Sequence, residues 1–376
     1  MNGNRRTREI LICVLAAANV LLVAGGNAKA DFVFGTPENL GPGINGSGYE
    51  SAVGLSTDGL SFYFLDFLAF PPELWVTTRA TNDDPWGVAT YLGLLTPNDI
   101  STTTSSIGFL ATVTTADGLE CYWGTQLPGG YGRRDIWCMT RESINDAWGP
   151  LENLGAPVNT TYDEHLACVS PDGLELYFSG YDGAGARPGG YGHSDLWVTR
   201  RATRDAPWTE PVNLGAAINS EYADARPSIS PDGLLLFFDS TRPDGFGRPD
   251  LYVIRRATLS DPWGEPMNLG PVVNTAWLEE CARISADGST LYWDSGRPDG
   301  GDNDLWQASI EPVVDLDGDG IVTCSDVCIM VHCWGTDEPL CDIGPTPFGD
   351  GIVDVQDLIV LTEHLTTDVN DTSITE

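Results

Sequence analysis

Short apolar stretches separated by polar turns run through most of the chain, and they follow a pattern that recurs five times. Each repeat contains the phrase Ser/Thr-x-Asp-Gly, whose Asp stands at positions 58, 117, 172, 232 and 287. An Asp carboxylate accepts backbone N–H groups within a turn and Gly adopts positive φ, so the phrase predicts a tight turn. An aromatic run such as Leu236 to Phe238 follows each phrase and predicts a strand.

Each repeat contains a second aromatic strand, and most repeats end in Asn-Leu-Gly. The second strand is centred on Trp75, Trp137, Trp197, Tyr252 and Trp306. Asn-Leu-Gly occupies positions 153–155, 213–215 and 268–270, and a further Trp follows the second strand in four repeats. This amounts to four short strands per repeat, which is the content of one propeller blade. We therefore expect an all-β fold, a five-bladed β-propeller, at residues 31–311.

The two ends of the repeat region predict how the ring closes. The fifth repeat stops after its Trp306 strand, whereas an extra Asn39-Leu40-Gly41 precedes the first repeat. We expect residues 32–41 to supply the outer strand of the last blade, which removes a sheet edge that would otherwise invite aggregation. Two stacked β-sandwiches are the alternative architecture, and they leave the offset of the repeats unexplained.

The repeats resemble those of a known propeller family. Ser170-Pro171-Asp172-Gly173, the aromatic strand after it and Asp195-Leu196-Trp197-Val198 are similar to the WD-like propeller repeat of the TolB type. The resemblance covers the five repeats and implies a propeller. It implies little about chemistry, because propellers serve as scaffolds, binders and enzymes alike.

Residues 1–30 have the composition of a cleaved export signal. An Arg-rich start precedes an apolar stretch, and Ala28-Lys29-Ala30 places small residues where signal peptidase cuts. No later stretch is long and apolar enough to span a bilayer. We therefore expect a secreted or extracytoplasmic protein, in the periplasm or at the cell surface, with no transmembrane segment after cleavage.

Charge excludes one class of partner. The 376 residues include 54 Asp and Glu against 19 Lys and Arg, which gives a formal net charge of -35. Binding to nucleic acid requires clustered basic side chains that neutralise phosphates, so we exclude it. Hydrophobic residues make up 41% of the chain, which favours a packed core over disorder.

The cysteines are candidates for disulfides, because an exported chain meets an oxidising environment. Four of them cluster near the C-terminal end, at Cys324, Cys328, Cys333 and Cys341. Four cysteines allow three connectivities and the spacing leaves them open, although we favour Cys328 with Cys341. Cys121 and Cys138, on neighbouring predicted strands, are a further candidate pair.

Acidic residues recur where the innermost strand of each blade should begin, near the mouth of the central channel. They are Glu50, Glu164, Asp224 and Glu279, each eight residues before a turn Asp. The aromatic residues beside them are Tyr49, Tyr162, Tyr222 and Trp277. Carboxylates around one axis can hold a cation, bond sugar hydroxyls or act as general acids, and aromatic faces suit a pyranose ring. Alternatively, these acids cap turns and solvate one rim.

Residues 315–326 have the spacing of a calcium-binding loop. The predicted ligands are Asp315, Asp317, Asp319 and Asp326 through carboxylates, Ile321 through its carbonyl oxygen, and Thr323. A second copy has the predicted ligands Asp350, Ile352, Asp354 and Asp357. Its start is irregular, so either the site lacks ligands there or an inserted Gly-Pro-Thr-Pro stretch lets Asp342 serve as the first ligand.

Two loop-then-helix units, each without the leading helix of an EF-hand, resemble a bacterial dockerin over residues 312–366. Residues 367–376 follow as a flexible tail. The resemblance implies a Ca²⁺ cofactor, with one well-formed loop and one irregular loop. It also implies docking onto a cohesin-like module of a cell-surface or scaffold protein.

The repeats and the tail favour a noncatalytic propeller that recognises a glycan or protein ligand and is tethered through its dockerin-like domain. No catalytic signature stands out in the sequence. The alternative is a carbohydrate-active enzyme, a glycosidase or lyase, whose carboxylates act at the channel mouth: Glu50, Glu164, Asp224 and Glu279. A third hypothesis is a purely structural surface protein.

Overall fold

A computed structural model describes residues 32–67, 73–94, 114–181, 187–298, 303–317, 321–336, 338, 341–344 and 352–365. The predicted export signal, the tail at 367–376 and the predicted ligands Asp319 and Asp350 lie outside the described residues. The described part forms five antiparallel sheets and, separately, a small helical unit.

Each sheet corresponds to one sequence repeat, which confirms the five-bladed propeller. The chain begins with β1 (Phe32–Phe34) and β2 (Glu38–Asn39). Blade 1 contains β3 (Glu50–Leu55), β4 (Ser61–Asp66), β5 (Glu73–Thr78) and β6 (Thr90–Leu94); blade 2 contains β7 (Glu120–Thr125), β8 (Asp135–Thr140) and β9 (Glu152–Asn153). Blade 3 contains β10 (Glu164–Val169), β11 (Glu175–Tyr181), β12 (Ser194–Arg200) and β13 (Val212–Asn213). Blade 4 contains β14 (Asp224–Ile229), β15 (Leu235–Ser240), β16 (Asp250–Arg255) and β17 (Met267–Asn268); α1 (Gly270–Val273) leads to β18 (Glu279–Ile284), β19 (Thr290–Ser295) and β20 (Asp304–Pro312) of blade 5.

The N-terminal strand closes the ring as predicted. Strand β2 pairs antiparallel with β20, and Asn39 lies opposite Trp306. The Asn39 amide donates to Asp304 Oδ2 at 2.7 Å, across 265 residues of sequence. The same bond within blades 2, 3 and 4 is made by Asn153, Asn213 and Asn268. The start of the propeller region therefore occupies the outer position of the last blade.

The Ser/Thr-x-Asp-Gly phrases form the predicted turns through one set of bonds. In blade 3 the Ser170 hydroxyl donates to Asp172 Oδ1 at 2.6 Å, and the same oxygen accepts the Leu174 N–H at 2.9 Å. Gly173 has φ +75°, which residues with a Cβ rarely adopt. The variable residues of all five phrases line one cavity of about 110 Å³: Thr57, Ala116, Pro171, Pro231 and Ala286. The five turns therefore meet around one axis.

In four of the five blades a buried aspartate lies at the start of the third strand. Asp195 Oδ2 accepts the Tyr191 N–H at 2.7 Å and the Asn213 amide at 3.0 Å, and its Oδ1 accepts the Gly192 N–H at 3.1 Å. We call the equivalent residues of four blades the hub aspartates: Asp135, Asp195, Asp250 and Asp304. In blades 2, 3 and 4 they fix the loop between the second and third strands against the outer strand.

The Trp that follows the third strand packs one blade against the preceding blade. Trp263 of blade 4 makes an edge contact with Tyr177 of blade 3, with ring centroids 6.0 Å apart. The Arg256 guanidinium lies 4.4 Å from the Trp263 ring centroid, a cation–π contact. Trp86 of blade 1 contacts Tyr292 of blade 5 in the same way, at 6.1 Å. The closing junction therefore repeats an interaction found inside the ring.

The residues after Ile310, together with the N-terminal strand, form a small unit with its own core. Strand β1 pairs with the end of β20, Phe32 opposite Pro312. Helix α2 (Cys324–His332) and helix α3 (Val355–His364) each begin with a capping box. Their buried core consists of Leu316, Val327, Met330, Cys341, Ile343, Val353, Val360 and Leu361. Among the described residues, no helix has the length and apolar character needed to cross a membrane.

The favoured pair Cys328–Cys341 and the candidate pair Cys121–Cys138 both differ from the observed arrangement. Tyr122 lies opposite Cys138 in the β7–β8 pair, so Cys121 projects from the other face of the sheet. Accordingly, Cys121 packs into the core between blades 1 and 2, and Cys138 packs against the core between blades 2 and 3. The predicted Cys121–Cys138 bridge is therefore wrong. Near the C-terminal end, Cys333 rather than Cys328 lies beside Cys341, with 2.9 Å between the sulfur atoms.

Replacing Gly247 by Ala should destabilise the junction between blades 4 and 5. A Cβ at this position would lie 1.8 Å from the Trp277 carbonyl oxygen, so the backbone would have to move. We expect the free energy of unfolding to fall by roughly 1–3 kcal/mol in urea titrations. Gly43→Ala is the control, because its Cβ would meet Val88 at an ordinary 3.7 Å. Equal stability of the two variants would contradict close packing at this junction.

Candidate functional site

The four predicted channel acids occupy equivalent, fully buried positions. Glu50, Glu164, Asp224 and Glu279 are the first residues of the inner strands β3, β10, β14 and β18. Each has at most 1% of its surface exposed. Because they are buried at the start of separate blades, their chemistry depends on the partners that each blade provides.

Three of these carboxylates are bonded to the chain that leads into their own strand. Asp224 Oδ2 accepts hydrogen bonds from the Ser220 N–H at 2.6 Å and from the Ser220 hydroxyl at 2.8 Å. Asp224 Oδ1 pairs with the Arg242 guanidinium at 2.7 Å. Glu164 has the equivalent partners Thr160 and Arg187, and Glu279 has Thr275 and Arg297. These contacts are those of caps, the alternative role considered for the acids. Burial raises the pKa of Glu164 and of Glu279.

The arginine partners were not anticipated, although the sequence contains their signal. The phrase Arg-Pro-x-Gly recurs at Arg187, Arg242 and Arg297, in steps of 55 residues. From the sequence, Arg226 and Arg283 are the candidates to neutralise part of the ring of acids, but in the structure Arg226 pairs with Asp239 and Glu280, and Arg283 donates to the Val53 carbonyl oxygen. The three arginines come from the loop between the second and third strands, so their proximity to the acids depends on the folded blade.

Glu50 differs from the other three acids. The residue four positions before it is Gly46, which offers only its N–H, at 3.0 Å from Glu50 Oε1. Glu50 Oε2 has no hydrogen-bond partner among the described residues. Burial raises the pKa of Glu50 to about 7. Without the hydroxyl that the other blades supply, this carboxyl group holds a proton more readily.

The predicted ligand-binding aromatics lie at the end of the propeller opposite the Ser/Thr-x-Asp-Gly turns. Trp277 has 53% of its surface exposed, and Tyr162 and Tyr222 are partly exposed. They precede the inner strands of blades 5, 3 and 4. Their backbone carbonyls face the glycine of the preceding blade's loop, so each aromatic lies at a junction between blades.

Three further exposed aromatics lie on the other side of the same junctions. Tyr131, Tyr191 and Phe246 are exposed by 55%, 53% and 50%, and each directly precedes the junction glycine. These three residues were not among the predicted ligand-binding residues. Their signal in the sequence is Gly-Tyr/Phe-Gly, which recurs at the same place in three repeats. We call the six residues of these three junctions the aromatic face: Tyr131, Tyr162, Tyr191, Tyr222, Phe246 and Trp277.

A second group of acids lies where blades 4, 5 and 1 meet, and no motif predicted it. We call it the acidic cluster, which consists of Tyr49, Arg226, Asp239, Glu280, Cys281 and Asp294. Arg226 Nη1 lies 2.9 Å from Asp239 Oδ2 and 3.0 Å from Glu280 Oε2. The Tyr49 hydroxyl donates to Glu280 Oε1. The Arg226 side chain is 28% exposed, so the cluster reaches solvent through this residue.

Burial leaves the acidic cluster with an excess of negative charge. The one guanidinium of the cluster, that of Arg226, pairs with Asp239 and Glu280, while the third carboxyl group, that of Asp294, is not exposed at all. Its Oδ1 accepts the Ala52 N–H at 2.7 Å, whereas Oδ2 has no hydrogen-bond partner among the described residues. Desolvation and the charge of Glu280 raise the pKa of Asp294 to about 8. Burial also raises the pKa of Asp239, against the opposing effect of Arg226. At neutral pH the cluster therefore retains a proton.

The cluster places a protonated carboxyl group beside other carboxylates. Ligand atoms of Glu280, Cys281 and Asp294 lie within 4.8 Å of one another. A protonated carboxyl group close to a second carboxyl group can donate a proton while the other accepts one, as in acid–base pairs. Arg226 and Cys281 also have φ of 54° and 55°, at bulges of the inner strands, where strained backbone is often functional.

The first predicted calcium loop brings three of its carboxylates together. Oxygen atoms of Asp315, Asp317 and Asp326 lie within 4.8 Å of one another. Asp326 is fully buried and accepts the Leu316 N–H at 2.7 Å and the Thr323 N–H at 2.7 Å. The donor set consists of oxygen atoms, which suits a hard cation such as Ca²⁺.

In its described residues the second loop has the same backbone hydrogen bonds as the first, with one ligand position changed. Asp357 Oδ1 accepts the N–H groups of Ile343 and Gly344 at 2.6 and 2.7 Å, as Asp326 accepts those of the two residues after Asp315. The position equivalent to Asp315 is therefore Asp342. Gly344 replaces the second carboxylate, and a Cβ there would lie 2.7 Å from Gln356 backbone atoms. Thr323 and Asp354 are the N-caps of the following helices, and Ile321 and Ile352 are exposed.

Comparison with known proteins assigns the chain to no family. No family model and no curated protein sequence matches it. Similar solved structures include TolB from Acinetobacter baumannii, with 12% identity, a TM-score of 0.41 and coverage of 82% of this chain and 69% of that one. An endo-arabinase from Bacteroides thetaiotaomicron VPI-5482 has 13% identity, a TM-score of 0.44 and coverage of 76% and 98%. An alpha-L-arabinofuranosidase from Lactobacillus brevis has 16% identity, a TM-score of 0.44 and coverage of 72% and 91%.

Replacing Asp294 by Asn should flatten the dependence of stability on pH. The folded chain holds a proton on Asp294 up to about pH 8, whereas an unfolded Asp releases it near pH 4. The contribution of protonated Asp294 to the free energy of unfolding is complete below the pKa of an unfolded Asp. It is lost as pH rises to 8, by at most about 1.4 kcal/mol per pH unit. Urea unfolding between pH 5 and 8 should show this decline in the wild type and less of it in Asp294→Asn. The exposed Asp261→Asn should retain the wild-type slope, and the same slope in Asp294→Asn would contradict protonation of Asp294.

Proposed function

We propose that this protein is an exported, noncatalytic carbohydrate-recognition propeller that binds a glycan across its aromatic face. The observation that carries the proposal is the exposure of aromatic side chains at three successive blade junctions. A monomeric propeller does not need exposed aromatic rings at one structural position in blade after blade for its own packing. Aromatic rings supply apolar contact to sugar faces, and polar groups beside them fix orientation.

The loops that carry these rings are held rigidly, which favours binding. Tyr191 is fixed through its N–H to the hub aspartate Asp195, and the adjacent Gly192 packs against the Tyr222 carbonyl. A ring held in place before binding loses little conformational entropy when a ligand arrives. Because the same aromatic pair recurs at three successive blade junctions, it suits a ligand built from repeating units. We therefore favour an extended polysaccharide over a single sugar.

The charge of the chain narrows the class of glycan. With a net charge of -35, the protein repels sulfated or uronic-acid polymers at long range. We therefore infer a neutral polysaccharide.

We further propose that the C-terminal unit binds Ca²⁺ and tethers the propeller. In the first loop the ligands are Asp315, Asp317, Asp319, Ile321, Thr323 and Asp326. In the second they are Asp342, Asp350, Ile352, Asp354 and Asp357. The second loop is the weaker, because Gly344 stands where the first has Asp317. The partner to which this unit docks is a cohesin-like module or a cell-surface scaffold protein. The protein acts outside the cytoplasm.

A polysaccharide hydrolase is the second candidate function. It is favoured by one observation, the protonated Asp294 within 4.8 Å of Glu280. In this case the acid is Asp294 and the base or nucleophile is Glu280, rather than the caps at Glu50, Glu164, Asp224 and Glu279. The two candidates differ in whether a bound polysaccharide is cleaved.

Replacing Tyr191 or Trp277 by Ala should weaken polysaccharide binding by at least about tenfold, or about 1.4 kcal/mol. Affinity electrophoresis in gels containing neutral polysaccharides measures the effect. Tyr91→Ala is the control, since Tyr91 is also an exposed aromatic, at 46%, but lies on the outer strand β6. Retention of wild-type mobility shifts by both variants, or no shift of the wild type in any neutral polysaccharide, would contradict the proposal.

The same incubations distinguish binding from hydrolysis. A noncatalytic protein releases no new reducing ends from a polysaccharide that it binds. Release that disappears in Glu280→Gln, with an unchanged melting curve, would establish the hydrolase instead.

Replacing Asp317 by Asn should lower the Ca²⁺ affinity of the tighter site by about tenfold, because one carboxylate ligand of a hard cation is lost. Calorimetric titration of the full chain measures this. Glu363→Gln removes the same charge from the exposed side of α3 and should leave the titration unchanged. Unaltered binding in Asp317→Asn would contradict the ligand assignment.

A further inference from the structure

The sulfur atoms of two cysteines of the C-terminal unit are in contact without a covalent bond. The sulfur atoms of Cys333 and Cys341 are 2.9 Å apart. Cys333 is the C-cap residue of helix α2 and is partly exposed, whereas Cys341 is fully buried in the core of the unit. Only a small shift of the side chains would therefore bring the two sulfur atoms to the roughly 2.0 Å of a covalent bond.

We propose that Cys333 and Cys341 form a disulfide, and that this bond orders the start of the second calcium loop. The oxidant is a small-molecule disulfide or a thiol–disulfide oxidoreductase of the exported compartment. The exposed Cys333 attacks one sulfur of the oxidant as a thiolate, which forms a mixed disulfide and releases one thiol. The buried Cys341 then attacks the Cys333 sulfur, which forms the intramolecular bond and breaks the mixed disulfide; the departing sulfur takes up the proton that Cys341 loses and leaves as the second thiol. One oxidant disulfide becomes two thiols, and two electrons leave the protein.

The burial of the two residues supports this order of steps. A reagent reaches Cys333 from solvent, whereas Cys341 is shielded by the core that also contains Val327 and Ile343. The second step needs no reagent, because the two sulfur atoms already face each other. The arrangement therefore favours ring closure over a lasting adduct at Cys333.

The second calcium loop needs such a constraint more than the first loop does. The first loop begins at Asp315, three residues after Pro312, whose strand is paired with Phe32 of β1. Among the described residues between the end of α2 and Asp342 there is no such paired strand, and the second loop begins at Asp342, directly after Cys341. A bond from Cys341 to the end of α2 would hold the start of the second loop as the β1–β20 pair holds the start of the first.

The bond itself is tested by peptide mapping of the full chain. The protein is exposed to oxidised glutathione, free thiols are alkylated, and the digest is analysed by mass spectrometry without reduction. We expect a crosslinked peptide pair containing Cys333 and Cys341. It should persist in Cys328→Ser, which removes another cysteine of α2, and disappear in Cys333→Ser. Alkylation of both Cys333 and Cys341 after oxidation, or a crosslink from Cys341 to Cys328, would overturn the proposal.

The effect on the loop is tested by hydrogen exchange, which needs no bound metal. The N–H groups of Ile343 and Gly344 donate to Asp357 Oδ1, and those of Leu316 and Asp317 donate to the equivalent Asp326 Oδ1. Reduction of the wild type should accelerate exchange in the segment 341–344 by about tenfold or more, and change that of 316–317 much less. Equal acceleration of the two loops, or none in either, would overturn the ordering role. Cys333→Ser should exchange at the reduced rate without any reductant.

Discussion

The bonds to the hub aspartates are the constraint on which most of the propeller depends. Each blade has to hold its outer strand, its second loop and its third strand at one point, and in blades 2, 3 and 4 a single buried carboxylate of the third strand accepts hydrogen bonds from the other two. A buried N–H left without this partner would cost roughly 1–3 kcal/mol. The loop fixed by the bond then places a glycine against the next blade and an aromatic ring in solvent. Packing within a blade, contact between blades and the exposed face therefore share one cause.

The sequence was sufficient for the architecture because the relevant bonds are local. The turn Asp and Gly act within five residues, and the repeated Asn-Leu-Gly identified Asn39 as the missing outer strand. The acidic cluster was not predictable in this way, since Ala52 and Asp294 are 242 residues apart and no motif contains both. The second calcium loop was left open for a similar reason. Only the bonds of Asp357 show which residue begins it.

Seven of the fifteen arginines in the propeller region, residues 31–311, make two recurring structural contacts. Arg79, Arg141, Arg201 and Arg256 lie against tryptophan rings at the blade junctions. Arg187, Arg242 and Arg297 pair with buried carboxylates at the start of inner strands. A basic residue used inside the fold does not offset the acids outside it. The surface that partners meet is therefore more uniformly acidic than the overall composition indicates.

The closing strand also determines the order in which the protein can be completed. Asn39 is among the first residues of the propeller region to be synthesised, and its partners Asp304 and Trp306 are among the last. Until blade 5 emerges, β2 has no edge to pair with, and blade 1 lacks the Trp86–Tyr292 contact. Contacts of such long sequence separation form late, because the intervening chain has to be ordered first. The ring is therefore sealed only at the end of folding, and a chain cut short before β20 has an unpaired strand at each end.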